Sequence, residues 1–374
     1  MKIKTKILII VLLVFIAAFS AMILLHVFYS KQKHLGTAFI ININNKENVI
    51  NYNKIIPPSL KRARDIKEIP YKLKFSLGGL ADSVLLLPGQ LRTINDKYLY
   101  ITDFGDFKIK TYDSLGNYIK QVGRKGKGPG EFLNLQIVML SNNNYKFAVI
   151  DNRIRRISFF SNLDTLIYNT ENIATFDVAV NNNQNFFLLQ NLMKENGSFI
   201  SEYNFSGKKI KGFENIFDFS KISILPLISI ILNGKIFLTN DYLIYVPVLL
   251  NKIFLFDFKG KLIRTISTID DDRIPELYVT GYRTDYKRLW NKYILNFNVI
   301  IINKVMYIVS IPARKKFGGI VLDRYDINSW KYIDSWRFDI DKKVGDIFLT
   351  KNRLYLIDSK FKVSVYDYDV PAKK

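Results

Sequence analysis

The chain has 374 residues, 48% of them hydrophobic, and a formal net charge of +22. It contains no cysteine, and its two histidines, His26 and His34, lie close to the N-terminus. Disulfides and cysteine nucleophiles are therefore excluded, and no catalytic or metal-binding histidine can occur after residue 34. We expect no cofactor and no metal. The positive charge indicates either an acidic partner or a basic surface that is simply solvated.

Residues 1–29 have the pattern of a membrane segment. Three lysines precede an apolar run from Ile7 to Tyr29 that only Ser20 and His26 interrupt. A run of this length can cross a bilayer as one transmembrane helix. The lysines favour a cytoplasmic N-terminus, with the rest of the chain on the extracytoplasmic, periplasmic side of the cytoplasmic membrane. The alternative is a cleaved export signal, because a small-x-small pattern precedes Ala21.

Residues 30–65 are predicted to be a tether and residues 66–374 to be the folded domain. The tether is rich in asparagine, and Pro57 and Pro58 prevent a continuous helix there. After residue 66 the chain repeats short β-branched or aromatic runs, each bounded by Asn, Asp, Gly or Ser. An all-strand repeat of roughly 40 to 50 residues predicts radial repetition of four-stranded units. The fold class is therefore all-β, a six-bladed β-propeller of four-stranded antiparallel blades.

Two blades carry particular expectations. In the fourth blade we assign the strands to LISIILN, KIFLTN, KIFLFDF and KLIRTIS, between residues 227 and 267. The sixth unit reaches the C-terminus with three strands, which would leave an open sheet edge. The run YKLKFSL at residues 71–77 has strand character and lies just before the first blade. We expect this N-terminal strand to pair with the last blade and close the ring.

One loop carries a family resemblance. The segment GRKGKGPGEF runs from Gly123 to Phe132, between YDSLGNYI and the second blade. Together with YITD before it, the segment resembles the NHL-like six-bladed propellers, bacterial proteins in which a GxGPGEF-type segment joins two blades. The resemblance covers about residues 66–370 and implies the fold and export or anchoring. The glycines allow a tight path between blades, and Glu131 can accept hydrogen bonds from backbone N–H groups there.

The connections between strands predict which face binds. Connections from second to third strands and from blade to blade emerge at one end of a propeller, and the long, basic loops of this chain belong to that set. Long loops on a rigid scaffold commonly carry binding sites. The candidate ligand-binding residues are Arg124, Lys125, Lys127, Arg153, Arg155, Tyr282, Arg283, Arg288, Trp290, Arg314, Lys315 and Lys316.

One acidic run requires a separate interpretation. Asp270, Asp271 and Asp272 are consecutive and do not match the spacing of a calcium loop. The run favours a solvated acidic turn that pairs with neighbouring arginines.

Two functions are consistent with these features. The first is a non-catalytic, membrane-anchored propeller that binds an anionic glycan, peptide or protein through its loop-rich face. The alternative is an extracytoplasmic hydrolase or lyase that uses Asp or Glu with Tyr and Arg at the mouth of the propeller, which would require a separated pair of acids. We expect no nucleic-acid partner, because export removes the usual one.

Overall fold

The computed structural model describes residues 37–370, apart from 44–45, 53–62, 80–82, 141–145, 162–163, 171, 182–184, 191–197, 219–229, 271–274, 281–282 and 285–294. The membrane segment predicted for residues 1–29 lies outside the described residues. Within the described ranges, no helix has the length and apolar character that a bilayer crossing requires.

Six sheets follow one another along the described part of the chain, and each sheet is one blade with four antiparallel strands; the sheet of blade 5 has one further strand. Blades 1 to 3 have regular up-and-down order. Blade 1 consists of Pro88–Ile94, Tyr98–Asp103, Lys108–Asp113 and Tyr118–Val122. Blade 2 consists of Gln136–Met139, Phe147–Asp151, Arg156–Phe160 and Leu166–Asn169. Blade 3 consists of Thr175–Val180, Asn185–Gln190, Ile200–Asn204 and Lys209–Gly212.

Blades 4 to 6 keep this order with additions. Blade 4 consists of Gly234–Leu238, Leu243–Pro247, Lys252–Phe256 and Leu262–Ser267. Blade 5 consists of Asn296–Ile302, Val305–Ser310, Ile320–Asp326 and Lys331–Phe338, with Ile66–Glu68 added in parallel on its outer edge. Blade 6 consists of Val344–Leu349, Arg353–Asp358 and Lys362–Tyr368, and Tyr71–Gly78 is its outer strand.

The assignment of the fourth blade was wrong by one strand. The run predicted as its second strand is its first, Gly234–Leu238, and the second is Leu243–Pro247. Pro247 is the last residue of this strand, where it lies opposite Gly234. A proline at a strand end disturbs little of the ladder.

Turn chemistry fixes the hairpins between third and fourth strands. In blade 1, Asp113 Oδ1 accepts hydrogen bonds from the backbone N–H groups of Leu115 and Asn117, both at 2.8 Å. Gly116 has a φ of 91°, a left-handed conformation that suits glycine. Asn204 and Asp257 accept the same bonds in blades 3 and 4. These hairpin residues therefore have a structural role.

The hydrophobic core consists of six clusters, and each cluster lies between two neighbouring blades. The cluster that joins the last blade to the first includes Tyr355 and Val365 together with Leu91 and Leu99. The outer strand Tyr71–Gly78 pairs antiparallel with Lys362–Tyr368, as expected from the sequence. Blade 6 therefore has four strands and packs against blade 1.

Part of the segment interpreted as a tether is also folded. Thr37–Ile43 and Lys46–Asn51 form a hairpin. Its first strand pairs in parallel with Glu276–Thr280, in the insertion between blades 4 and 5, and Glu276–Thr280 pairs antiparallel with Arg283–Thr284. Phe39 and Ile50 of this hairpin are fully buried in the cluster between blades 3 and 4. Burial of such side chains stabilises the attachment of the hairpin to the propeller by about 1.5–3 kcal/mol each.

Candidate functional site

The crossing-loop face, where second strands run into third strands and one blade passes to the next, is organised by buried aspartates. Asp103 Oδ1 and Oδ2 accept hydrogen bonds from Leu87 and Leu86 N–H, each at 2.8 Å, and its Oδ2 lies 2.6 Å from the Lys110 ammonium. Burial favours the neutral acid, but Lys110 and the backbone N–H groups outweigh it and lower the pKa of Asp103. Asp151 accepts equivalent bonds from Leu133 and the next residue in blade 2. These acids therefore hold loops in place.

The loop from Gly123 to Phe132 is closed by its own glutamate. Glu131 Oε2 accepts a hydrogen bond from Gly128 N–H at 2.7 Å, and Oε1 accepts one from Arg124 Nε at 2.7 Å. These two contacts lower the pKa of Glu131. The predicted role of Glu131 as an acceptor for backbone N–H groups is confirmed. Arg124 is exposed, but its charge is paired within the loop.

Neighbouring cations on this face are not neutralised in the same way. Lys125, Lys127, Arg153 and Arg155 are exposed, and we call these four residues the basic cluster. Arg156 joins the two loops, because it donates a hydrogen bond to Lys127 O at 2.8 Å. No carboxylate among the described residues forms an ion pair with a member of the basic cluster. The cluster therefore presents a localised positive field to solvent.

Blade 5 places a second set of cations on the same face. The connection predicted as a long loop contains a short helix, Ile311–Phe317, whose N-cap Ser310 accepts a hydrogen bond from Ala313 N–H. Lys315 and Lys316 are exposed. Arg314 is half-buried and donates a hydrogen bond to Lys342 O, and burial lowers its pKa. Arg314 therefore connects two loops.

The remaining predicted site residues belong to the insertion between blades 4 and 5. Tyr282, Arg288 and Trp290 lie outside the described residues. Arg283 is part of the short strand Arg283–Thr284, and only its backbone is described. These four residues stay predictions.

Asp270, the one residue of the acidic run that the structure describes, differs from the solvated turn that we expected, and Asp271 and Asp272 lie outside the described residues. Asp270 is buried, 4% exposed, and pairs with Arg64 from the N-terminal segment. Arg64 Nε and Nη2 also bind Asp323 of blade 5, at 2.9 and 2.8 Å. Burial raises the pKa of Asp270, with Arg64 acting against it. The interpretation of Asp270 as solvated was wrong, because its partner lies 206 residues away in the sequence.

A central cavity of about 550 Å³ lies between the first strands of the blades. Its walls are mostly apolar and include Val138, Leu140, Val180, Ile301 and Phe348. It extends from the starts of the first strands to the hairpins beyond them, where its lining residues are Thr239, Asn240, Asp241, Lys304 and Asn328. The cavity thus reaches the hairpin face, opposite to the crossing-loop face.

Polar side chains form one end of the cavity. Arg92, Asp177, Lys235 and Asn298 line it there, and we call these four residues the polar floor. Arg92 is paired with Asp346 at 2.7 Å. The sequence did not predict this set, which comes from the first strands of different blades. The available signal was a single charged residue inside an apolar strand, such as Asp177 in TFDVAV.

The architecture defines the protein as a six-bladed β-propeller. The chain belongs to the DUF5128 family, described as a 6-bladed beta-propeller, whose model matches residues 80–306. The fold implied by the sequence resemblance is thereby shown, while the particular relation to NHL-like propellers stays a prediction. A search of the curated proteins finds no match.

Two solved structures are similar to this chain. One is a candidate exported protein from Bacteroides fragilis NCTC 9343, with 12% identity and a TM-score of 0.52 over 81% of this chain and 95% of that chain. The other is a member of the duf4221 family from Bacteroides vulgatus ATCC 8482, with 13% identity and a TM-score of 0.50 over 81% of this chain and 98% of that chain. At these identities the similarity shows the fold alone.

Proposed function

We propose that the protein is an extracytoplasmic binding module whose crossing-loop face takes an anionic partner, a glycan, an acidic peptide or an acidic protein surface. The observation that carries the proposal is the basic cluster, four exposed cations on two loops that Arg156 holds together. Aligned positive charge on a rigid scaffold steers anionic ligands and raises their association rate. An export-related neighbour supports the extracytoplasmic location.

The membrane attachment is part of the same proposal. Residues 1–29 would hold the propeller at the cytoplasmic membrane through one apolar helix. A protein held in this way stays in the membrane fraction after an alkaline carbonate wash, since apolar length and not charge retains it. Recovery of a soluble chain that begins near Ala21 would instead support a cleaved signal.

A charge-reversal experiment tests the binding face. In one variant Lys127, Arg153 and Arg155 are changed to Glu. In the matched control three exposed lysines of the opposite hairpins, Lys208, Lys209 and Lys261, are changed to Glu. Both variants change the net charge by the same amount, so diffuse attraction falls equally and a localised field separates them.

The face variant should elute from heparin at clearly lower salt than the control, and both should keep the wild-type thermal unfolding midpoint, because exposed loop charges usually contribute within about 0.5 kcal/mol. Equal elution of the two variants would contradict the proposal.

The enzymatic alternative requires two carboxylates that face an open cleft. Asp270 and Asp323 come from distant segments and meet in the fold, but Arg64 bridges them and all three side chains are largely buried. This pair is therefore explained by its ionic contact, and we retain the binding function.

A further inference from the structure

The central cavity contains a buried carboxylate whose hydrogen bonds with the described residues are incomplete. Asp177 is 3% exposed and belongs to the polar floor of the cavity. Its Oδ2 accepts a hydrogen bond from Ile236 N–H at 2.9 Å, which ties blade 3 to blade 4. Its Oδ1 has no hydrogen-bond partner within the described part of the chain. Buried carboxylate oxygens are normally hydrogen-bonded, and an exception calls for a missing partner.

The neighbouring cation does not satisfy this oxygen. Lys235 Nζ lies 3.5 Å from Asp177 Oδ1, close enough for an ion pair but beyond an ordinary hydrogen bond. The other polar side chains of the floor already have partners. Arg92 binds Asp346, and the Asn298 amide donates to Ile347 O at 2.6 Å. Among the described residues of the polar floor, Asp177 Oδ1 is therefore the acceptor that remains without a hydrogen bond.

The rest of the cavity sets the shape and polarity of a complementary molecule. A volume of about 550 Å³ is within the range of small-molecule pockets, roughly 300–1,000 Å³. The walls between floor and rim are mostly aliphatic, with the Phe348 ring beside Arg92 at 5.5 Å. The two cations of the floor, Arg92 and Lys235, are each paired with an acid, Asp346 and Asp177, so the floor offers no net charge to attract an ion.

We propose that the central cavity is a second binding site, distinct from the crossing-loop face, and that it takes a neutral, largely apolar small molecule that donates one hydroxyl or amide hydrogen to Asp177 Oδ1. The ligand enters from the hairpin face, where Asp241, Lys304 and Asn328 line the outer part of the cavity. Its apolar body displaces water from the aliphatic walls, and its single donor satisfies the buried acceptor. The site does not depend on the basic cluster.

Two small probes of similar size test this assignment by calorimetric titration of the folded protein. One is 2-naphthol, which carries a hydroxyl donor, and the other is 2-acetylnaphthalene, which carries only an acceptor. The wild-type protein should bind 2-naphthol in a 1:1 complex about tenfold more tightly than 2-acetylnaphthalene, the difference expected for one hydrogen bond.

Two variants locate the site. Asp177→Asn keeps an oxygen for Ile236 N–H and presents an amide donor to the cavity, so the preference between the probes should reverse. The matched control Asp369→Asn removes the same charge from an exposed position and should keep the wild-type preference. Val138→Trp fills the cavity and should abolish binding of both probes. If Val138→Trp does not fold, as judged by thermal unfolding, Ile301→Phe replaces it.

The assignment is overturned by any of three results. These are no saturable binding of 2-naphthol to the wild-type protein, the same probe preference in Asp177→Asn as in the wild type, or full binding by a folded cavity-filling variant. The cavity variants do not change any residue of the basic cluster, and the crossing-loop variants do not change any residue of the cavity. None of these three results therefore bears on the proposed anionic partner.

Discussion

Arg64→Ala should be among the most destabilising single substitutions in this propeller. The Arg64 side chain is 10% exposed, and its partners Asp270 and Asp323 are 4% and 1% exposed. Arg64 Nη2 also donates to Ser310 Oγ at 3.1 Å. Removal of the cation leaves two buried carboxylates side by side. Loss of one partner from a buried ionic group typically costs about 3–5 kcal/mol, a large fraction of a domain's total stability of roughly 5–15 kcal/mol.

The chain offers a matched control in Arg337. Its guanidinium also binds two carboxylates, those of Glu68 and Asp339, but these acids are 61% and 74% exposed. Solvent screens such pairs, so Arg337→Ala should cost less than about 1 kcal/mol. The assay is urea unfolding followed by tryptophan fluorescence. Trp330 and Trp336 are buried in blade 5, the blade that contains Asp323, and report the integrity of this blade.

The pH dependence sharpens this prediction. Burial and the neighbouring Asp323 already raise the pKa of Asp270, and Arg64 opposes them. Without Arg64 the pKa of Asp270 rises further, and an acid with a raised pKa in the folded state gains stability as the pH falls towards that pKa. The decrease in the free energy of unfolding caused by Arg64→Ala should therefore be larger at pH 8 than at pH 5. Equal losses for Arg64→Ala and Arg337→Ala, or a loss that grows on acidification, would refute the reasoning.

Two further predictions concern the ring and its loops. Ser76 lies directly opposite Ser364 in the closing pair of strands. The chain has no natural cysteine, so the double variant Ser76→Cys with Ser364→Cys should form one disulfide, which is detected as a gel shift. The control Ser76→Cys with Val363→Cys is one residue out of register and should form none. Asp103→Asn should lower the free energy of unfolding by about 3–5 kcal/mol at pH 7, because Lys110 is left buried without its partner. This difference in stability should disappear in acid, because the pKa of Asp103 is lowered and the wild-type ion pair is lost only as the pH falls below about 3.9. A difference that does not depend on pH would show that the ion pair is not its cause.

Local patterns made much of the fold predictable. Hairpin residues such as Asp113 and Gly116 act within a few positions of themselves, so their roles follow from the sequence. The closing strand was predictable for a topological reason, because three strands at the C-terminus required a fourth. The fourth blade was misassigned because its strands follow one another with short connections and similar composition, so the pattern fits more than one register.

The candidate site was less predictable, because its contacts join distant parts of the chain. Arg64 lies in the segment that we predicted to be a tether, and its partners Asp270 and Asp323 lie more than 200 residues away. Asp177 and Arg92 meet at one cavity only because a ring of blades brings their strands together. Sequence periodicity reports the burial of a strand, but not which other strand faces it.

The most direct test of the proposed binding face is lysine acetylation footprinting by mass spectrometry, with and without a saturating heparin oligosaccharide. Protection is predicted for Lys125, Lys127 and Lys316 on the crossing-loop face, while Lys208 and Lys261 on the opposite hairpins react at unchanged rates. Uniform protection of all five lysines, or protection confined to the hairpins, would contradict a binding site on the crossing-loop face.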